Sequence, residues 1–461
     1  MSKRLLVTSV SLATALVLGV PGSFVIADDA QPADLPPMQS ASASSSREPL
    51  TLRQCLTTAL NSNPLVQEAL SGVEAAGKNV QSAAGKHYPR LSLEATGVMR
   101  EDPVPYIPAQ SPTIGPHFSD SYALWGPVLT IPIYQGGQIS RNVELAKLRE
   151  QMQQDALSLT RNDLIANTVN TYNKILQIQK LREASAASVK ALEVQRKNVQ
   201  QLYDVQRAAR VDLLKIEVQF ANEKQRLLAL DESLTTLGAT LRALMGEAVE
   251  GVDTPLALAD VLTQGAAPDA SFEDGFRTAH QQRPEYLIAM KGTEEAWLSM
   301  QNAAGKLQPS INAFGAYTDQ AGFDPSYDDA DWLVGITVSL PVFERSLYAD
   351  VARERALHRR TEEHLVVIEH QVRLEIQTAL SALADSKARI ATAEQVVAQA
   401  DEAFRIEQQR YATGAGAMAD MLLAQAADVT AAANYTQALF DHNAAAVAYH
   451  RATGTMEEYL K

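Results

Sequence analysis

The chain has 461 residues, of which 46% are hydrophobic and 20% are charged, a composition that is ordinary for a folded protein. Aromatic residues make up only 6%, which favours packed helices over a fold rich in β-structure. The formal net charge of -14 and the lack of any Lys/Arg-rich run indicate that nucleic acid is not a partner.

The N-terminus has the pattern of a secretory signal. Lys3 and Arg4 precede an apolar stretch, and small residues before Asp28 offer a cleavage site. We predict a signal peptide over residues 1–27, with an uncleaved membrane anchor as the alternative. Residues 28–49 are rich in Pro, Ser and Ala, which predicts a disordered lead-in. No later segment has the roughly 18 consecutive apolar residues that a membrane-spanning helix needs.

The rest of the chain is a tandem duplication. Three segments return in the same order: 81–86 (QSAAGK) as 301–306 (QNAAGK), 131–134 (IPIY) as 340–343 (LPVF), and 212–214 (DLL) as 420–422 (DML). Solenoid repeats have periods of ~20–50 residues, so each of these much longer units must be a whole architectural half. We predict repeat one over residues 50–246, an inter-repeat equatorial segment over 247–270, repeat two over 271–454, and a C-terminal tail over 455–461.

Each repeat contains two long helical runs. Neither Gly nor Pro occurs between residues 138 and 237, and the same holds for most of the second repeat. At 1.5 Å per residue such runs extend up to roughly 100 Å, so they must bury apolar stripes against neighbours along their whole length. The predicted long helices span about 138–205, 211–246, 346–411 and 418–453.

Four short segments with a period of two lie between the helices. The predicted strands cover about 90–100, 122–133, 310–318 and 332–343, lengths that suit tilted transmembrane strands of ~9–11 residues. An ordinary soluble sheet is the alternative. Four strands have open edges, which lipid does not tolerate, and membrane barrels start at about eight strands. If the strands span a membrane, several chains must therefore share one barrel.

The sequence carries no pattern for catalysis or metal binding. Cys55, the only cysteine, lies on an apolar helical face and is predicted to be a buried thiol. His358, His364 and His370 are six residues apart on a helix, so no two of them share a face. Catalytic motifs are also missing, and we expect neither an enzyme nor a cofactor.

Several of these segments resemble motifs of the TolC-like outer-membrane efflux proteins, over about residues 50–454. Asn63-Pro64 and Arg283-Pro284-Glu285 resemble the starts of that family's two repeats. The segment 131–137, which ends in Gly136-Gly137, resembles the junction from strand to long helix, and 410–414 (RYATG) resembles the turn at the far tip of the helices.

The resemblance implies an α-dominated fold with transmembrane β-strands. In such a homotrimer, a 12-strand β-barrel in outer-membrane lipid joins a long periplasmic α-helical barrel. The implied function is a passive exit duct of a tripartite efflux or type I secretion system. Its partners would be a periplasmic adaptor (membrane fusion) protein and an inner-membrane RND or ABC-type transporter. The exported substrate stays open, and a soluble periplasmic coiled-coil scaffold or adaptor-like protein is the alternative.

The resemblance also implies a gate at the periplasmic tip. In the family, acidic residues of the tip turn line the narrowest point, and matching by position gives Asp212 in repeat one and Asp420 in repeat two. Tyr411 matches a tyrosine that links neighbouring helices when the duct is shut, and Tyr203 is its counterpart in repeat one.

The tip departs from the family's pattern at two positions. Gly416 stands where some members carry a gating arginine, and Leu423 where some carry a second acidic residue. We hypothesise that Arg207 or Arg210 supplies the missing cation and pairs with Asp420 across the tip. Exposed ion pairs contribute only ~0–1 kcal/mol each, so threefold repetition would be needed to hold a gate. Solvated tip charges without a gating role are the alternative.

Two further surfaces carry expectations. The turn formed by Thr413, Gly414, Ala415 and Gly416 is predicted to dock the adaptor, although glycine can also be there simply to permit the turn. Residues 101–121, with five prolines, and 318–331, with five aspartates, are predicted to be extracellular loops. The first would stiffen the mouth, and the second would favour cations there; exposed loops without such roles are the alternative.

Overall fold

A computed structural model describes residues 49–106, 117–248, 256–266, 271–323 and 326–460. The predicted signal peptide and all but the last residue of the predicted lead-in lie outside these ranges. So do parts of the two predicted extracellular loops and of the inter-repeat segment.

The two halves contain the same six elements in the same order. The first half has α1 (Leu52–Ser62), α2 (Pro64–Gly85), β1 (Arg90–Tyr106), β2 (His117–Gln135), α3 (Gln138–Asp204) and α4 (Arg210–Leu244). The second has α5 (Phe272–Gln282), α6 (Pro284–Gly305), β3 (Ser310–Phe323), β4 (Ser326–Ser339), α7 (Arg345–Ala412) and α8 (Met418–Thr453), followed by a short 3₁₀ helix, Met456–Leu460. The chain is mostly helical, with one small antiparallel sheet.

The four strands form one antiparallel sheet in the order β1-β2-β3-β4, so β1 and β4 are its edges. In the segments described, the strands run well into the two predicted loops. β1 continues to Tyr106, and β3 and β4 pair from Ser310↔Ser339 out to Phe323↔Ser326. The loop assignments 101–121 and 318–331 are therefore wrong over most of their described residues. Strand ends depend on how far a partner continues to pair, and proline is tolerated in β1 because it is an edge strand.

One face of the sheet is apolar and exposed. Residues opposite each other in an antiparallel pair point to the same side, and Leu93 lies opposite Pro127, while Gly315 lies opposite Val334. Leu93 and Val334 are 79% and 71% exposed. The members of this apolar face that are large and exposed are Leu91, Leu93, Met99, Trp125, Leu129, Tyr317, Trp332, Val334, Ile336 and Val338. The opposite face is mixed. It carries the polar residues Ser92, Glu94, Thr96, Asn312 and Thr337 beside apolar residues such as Val128 and the exposed Leu333.

Close packing between β2 and β3 requires a glycine. A Cβ on Gly126 would lie 1.8 Å from the backbone oxygen of Tyr317, far inside van der Waals contact. Any other residue at this position would have to push the two strands apart, so Gly126 determines how closely they approach.

The short helices fasten the ends of the long helices, in the same way in both halves. Asn63 caps α2 and donates through Nδ2 to the backbone oxygen of Leu244 at the end of α4 (2.9 Å). Its counterpart Arg283 donates to the backbone oxygen of Ala452 near the end of α8 (3.3 Å). The buried Arg283 also bridges Glu285 and Glu375. The duplicated Asn-Pro and Arg-Pro motifs are therefore polar clamps between helices.

The main core lies around the middle of the long helices. There α3 packs against α1, α2, α4, α6 and α8. Cys55 is fully buried in this core, as its helical face predicts, and burial, with a contribution from Asp260, raises the pKa of its thiol to about 11. Within the described ranges, no helix combines the length and the apolar character needed to cross a membrane.

Candidate functional site

The two helical hairpins end in turns of the same construction, which together with the adjoining helix ends we call the tip. In the first turn, the N–H groups of Gln206 and Arg207 donate to the backbone oxygens of Tyr203 (2.9 Å) and Leu202 (2.7 Å). In the second, Gly414 and Ala415 donate in the same way to Tyr411 (3.0 Å) and Arg410 (2.8 Å). The duplication seen in the sequence therefore extends to individual backbone hydrogen bonds, 208 residues apart.

The turns differ in the residue that adopts the left-handed conformation. Gly414 has φ 77°, which glycine adopts without steric cost. Gln206 has φ 57° at the equivalent position and is the only non-glycine residue with positive φ among those described. A side chain carried in this conformation costs roughly 1–2 kcal/mol. The first turn is therefore strained where the second is not.

A buried apolar cluster joins the two hairpins just above the turns. It contains Leu192 and Val199 of α3, Ile216 of α4, and Met418 and Met421 of α8. All five are nearly inaccessible to solvent. Within one chain, the tips of both hairpins are therefore held together by hydrophobic burial.

The structure brings two of the predicted gate residues near each other. Tyr411, at the end of α7, is half-buried, and burial followed by the negative charge of Asp212 raises the pKa of its hydroxyl. Asp212 itself is half-buried in the first turn of α4, and Asp420 occupies the equivalent position in α8, where it is exposed. Carboxylates at these positions are stabilised by the positive end of the helix dipole. Tyr203 lies at the end of α3, partly exposed.

The predicted cations are exposed. Arg207 lies in the first turn and Arg210 begins α4. Neither makes an ion pair with Asp212 or Asp420 in the part of the chain that the structure describes. A pair with Asp420 across the tip would have to form between chains, and it stays a prediction.

The predicted docking turn presents small residues and backbone. Thr413, Gly414 and Ala415 are exposed, and the Thr413 hydroxyl donates internally to the backbone oxygen of Gln409 (3.1 Å). A Cβ on Gly416 would lie 3.0 Å from that of Arg410, so glycine at 416 avoids crowding the end of α7. This contact gives a local structural reason for the glycine at this position.

Sequence reasoning missed a charged pair beside the second turn. The Nη1 atom of Arg410 donates to Oε1 of Glu407 at 2.7 Å, and the other carboxylate oxygen of Glu407 is buried without a hydrogen-bond partner among the described residues. The signal was available, because Glu407 replaces Val199 of the first repeat at the offset that relates the two turns.

Comparison with known proteins agrees with this geometry. Residues 55–247, essentially the first half, match the sequence profile of the family described as outer membrane efflux protein. No curated protein sequence matches the chain.

Solved structures of outer-membrane proteins share the fold across both halves. The chain is similar to VceC from Vibrio cholerae, with 17% identity, a TM-score of 0.74, and 87% of this chain and 96% of that chain covered. The outer-membrane channel OprN has 18% identity and a TM-score of 0.76, with 87% of this chain and 89% of that chain covered. The Campylobacter jejuni CmeC outer membrane channel has 16% identity and a TM-score of 0.76, with 88% of this chain and 85% of that chain covered.

Helical hairpins joined to a small antiparallel sheet are therefore the fold that this chain shares with these outer-membrane proteins. The predicted resemblance to the outer membrane efflux protein family is confirmed, as is the outer-membrane location that the family's description names.

Proposed function

We propose that the protein is the outer-membrane exit duct of a tripartite efflux or type I secretion system, a passive channel gated at its periplasmic tip. The observation that carries the proposal is the sheet, whose exposed apolar face is opposite a face of mixed polar and apolar residues and whose two edge strands are open. This is the pattern of a barrel wall with lipid outside and water inside. The family match, which describes efflux proteins, fits a role without enzymatic chemistry.

The sheet edges support a homotrimer. β1 and β4 each leave one row of backbone N–H and C=O groups unpaired within the chain. Lipid cannot satisfy such groups, so a membrane sheet has to close on itself. Three copies of four strands would close a 12-strand barrel, with β4 of one chain pairing with β1 of the next. The long helices below would then form the periplasmic α-helical barrel.

The gate is proposed to lie at the tip, where Asp212 and Asp420 would be repeated three times around the axis. Tyr411 and Asp212 would link the hairpins within each chain, and Arg207 or Arg210 would supply cations between chains, with Asp420 as the predicted partner across the tip. Rings of carboxylates in a narrow opening favour cations. The closed tip would therefore conduct weakly and prefer cations.

The turn 413–416 is proposed to dock a periplasmic adaptor protein, which would connect the duct to an inner-membrane RND or ABC-type transporter. The support is its exposed, small-residue surface, whose threonine hydroxyl is already satisfied internally. The transporter, rather than this chain, would choose the exported substrate.

Planar-bilayer conductance of the detergent-purified protein tests the proposal. The wild type should give a small, cation-preferring conductance. The double variant Asp212→Ala/Asp420→Ala should raise it, while Glu232→Ala, an exposed carboxylate in α4 far from the tip, should not. No conductance from folded, trimer-sized protein would refute the duct and favour a periplasmic scaffold, as would recovery of the protein in the soluble periplasmic fraction.

A further inference from the structure

The equivalent helices α3 and α7 have different surroundings. α3 packs against α2 and α4 of its own half and also against α6 and α8 of the other half. In the described chain, α7 packs mainly against α5, α6 and α8 of its own half. Large apolar side chains consequently remain exposed along α7, namely Tyr348, Leu357, Val366, Val367, Leu374, Val396 and Ile406. In a ring of chains, a second copy would cover this exposed stripe of α7 in the way that the other half covers α3 within one chain.

The repeat gives the identity of the neighbour at the tip. Inside one chain, α3 meets α8 of the following hairpin. If the arrangement continues around a ring, α7 of one chain meets α4 of the next. Equivalent tip residues are 208 positions apart, as the matched turns at Gln206 and Gly414 establish. Each contact between α3 and α8 therefore predicts a contact between α7 and the α4 helix of a neighbouring chain.

At one pair of equivalent positions, the residues within a chain and those between chains differ in chemistry. Val199 of α3 and Met418 of α8 belong to the same buried cluster and are 0% and 3% exposed. Their equivalents, 208 positions away, are Glu407 of α7 and Arg210 of α4. Two members of an apolar cluster inside the chain thus correspond to a glutamate and an arginine between chains.

Neither residue has its charge fully paired within the described chain, although Glu407 must rotate to turn its second carboxylate oxygen towards a neighbour. Arg410 occupies only Oε1 of Glu407, and Oε2 is buried with no hydrogen-bond partner among the residues described. Arg210 is exposed and makes no ion pair within the described ranges. The opposite charges complement each other, and guanidinium bound to carboxylate forms a strong, directional hydrogen bond.

We propose that Arg210 of one chain pairs with Glu407 of the next, which forms three identical ionic contacts around the closed tip. The inference rests on the trimer of the proposed function and selects, for Arg210, a partner other than Asp420. Arg207 remains the candidate for Asp420.

In the trimer, helices at the tip would meet in two kinds of contact. The three α3–α8 contacts within chains are apolar, and the three contacts between α7 of one chain and α4 of the next are ionic. Salt screens exposed ion pairs but not hydrophobic contacts. The tip should therefore loosen between chains first, and high salt should favour that opening.

Cross-linking tests the contact directly. In full-length trimer, Glu407→Cys/Arg210→Cys treated with a short bis-maleimide should give covalent dimers and trimers that survive denaturation. The matched control Glu407→Cys/Arg226→Cys places the second cysteine sixteen residues further along α4, roughly 24 Å away, and should stay monomeric. Cys55 is retained, because it is fully buried.

Charge exchange tests the function of the contact. Arg210→Glu and Glu407→Arg should each increase bilayer conductance, and the double variant should return it to the wild-type level. Arg210→Met/Glu407→Val, which copies the residue types of the apolar cluster within the chain, should lower conductance and remove any rise with salt beyond the rise in bulk conductivity. A native-sized trimer in which the cysteine pair does not cross-link, or in which the double exchange does not restore conductance, would overturn this contact and leave the duct intact. Failure to form any trimer would overturn both.

Discussion

The two tip turns allow the cost of a left-handed residue to be measured in opposite directions. Gly414→Gln places a side chain at φ 77°, and Gln206→Gly removes one at φ 57°. The left-handed conformation costs roughly 1–2 kcal/mol, against which glycine's extra flexibility in the open chain offsets roughly 0.5–1 kcal/mol. A Cβ at Gly414 would have nothing within 4 Å, so no clash contributes. The net expectation is ~0.5–1 kcal/mol of destabilisation for Gly414→Gln and a similar stabilisation for Gln206→Gly.

Hydrogen exchange at the turns is the appropriate assay, because the effect is on local opening and not on the whole trimer. The amides of Arg207 and Ala415 close equivalent hydrogen bonds in the two turns. A change of ~0.5–1 kcal/mol should slow exchange at Arg207 in Gln206→Gly and accelerate it at Ala415 in Gly414→Gln, each about two- to fivefold.

Gly85→Ala is the control for replacement of a glycine as such. Gly85 ends α2, its φ is not positive, and a Cβ there meets nothing within 4 Å. This variant should leave both turns unchanged. Unaltered or slower exchange at Ala415 in Gly414→Gln would show that the left-handed conformation is not what limits the turn.

Three further predictions concern the sheet and the helix ends. Ile336→Arg, on the apolar face, should destabilise the folded barrel by roughly 2–4 kcal/mol if residue 336 lies near the bilayer midplane, and it should reduce the amount of heat-resistant trimer in the outer membrane. The neighbouring Thr337→Arg, on the opposite face, should be tolerated. Equal losses of trimer in the two variants would contradict the assigned lipid side. Gly126→Ala should block assembly of the sheet, because its Cβ would lie 1.8 Å from the oxygen of Tyr317, and normal amounts of folded trimer would refute that. Burial lowers the pKa of His450 below its ordinary value of 6.5, with Glu458 opposing the shift. The folded protein thus favours neutral His450, so this contribution to stability is complete above pH 6.5 and is lost as pH falls. His450→Gln should show a smaller drop in melting temperature on acidification, and an unchanged drop would exclude this group.

Where the sequence succeeded, local rules were sufficient. Long segments without Gly or Pro whose apolar residues recur at helical spacing favour long helices, and the recurrence of QSAAGK as QNAAGK reveals the duplication without any structural knowledge. The burial of Cys55 followed from its neighbours on one helical face. The tip turns were located through their repeated position, although the first contains no glycine.

Where it failed, the deciding partner was distant in the chain. The five prolines of 101–121 suggested a loop, yet β1 continues through two of them to Tyr106. Pairing with β2 on one side is enough to hold β1. Proline has no backbone N–H to donate, and the unpaired side of an edge strand does not require one. The ion pair of Arg410 with Glu407 was overlooked for a different reason: the two residues are only three positions apart on α7, so helical spacing alone could have predicted it.

The sequence by itself determined the elements, their duplication and the alternation that separates the two faces of the sheet, because each follows from residue spacing along one segment. Only the tertiary structure decided how far the strands pair, that Asp212 approaches Tyr411, and that α3 is surrounded while α7 keeps one side exposed. These depend on which segments meet in space, and residues hundreds of positions apart, such as Val199 and Met418, become neighbours only when the hairpins pack.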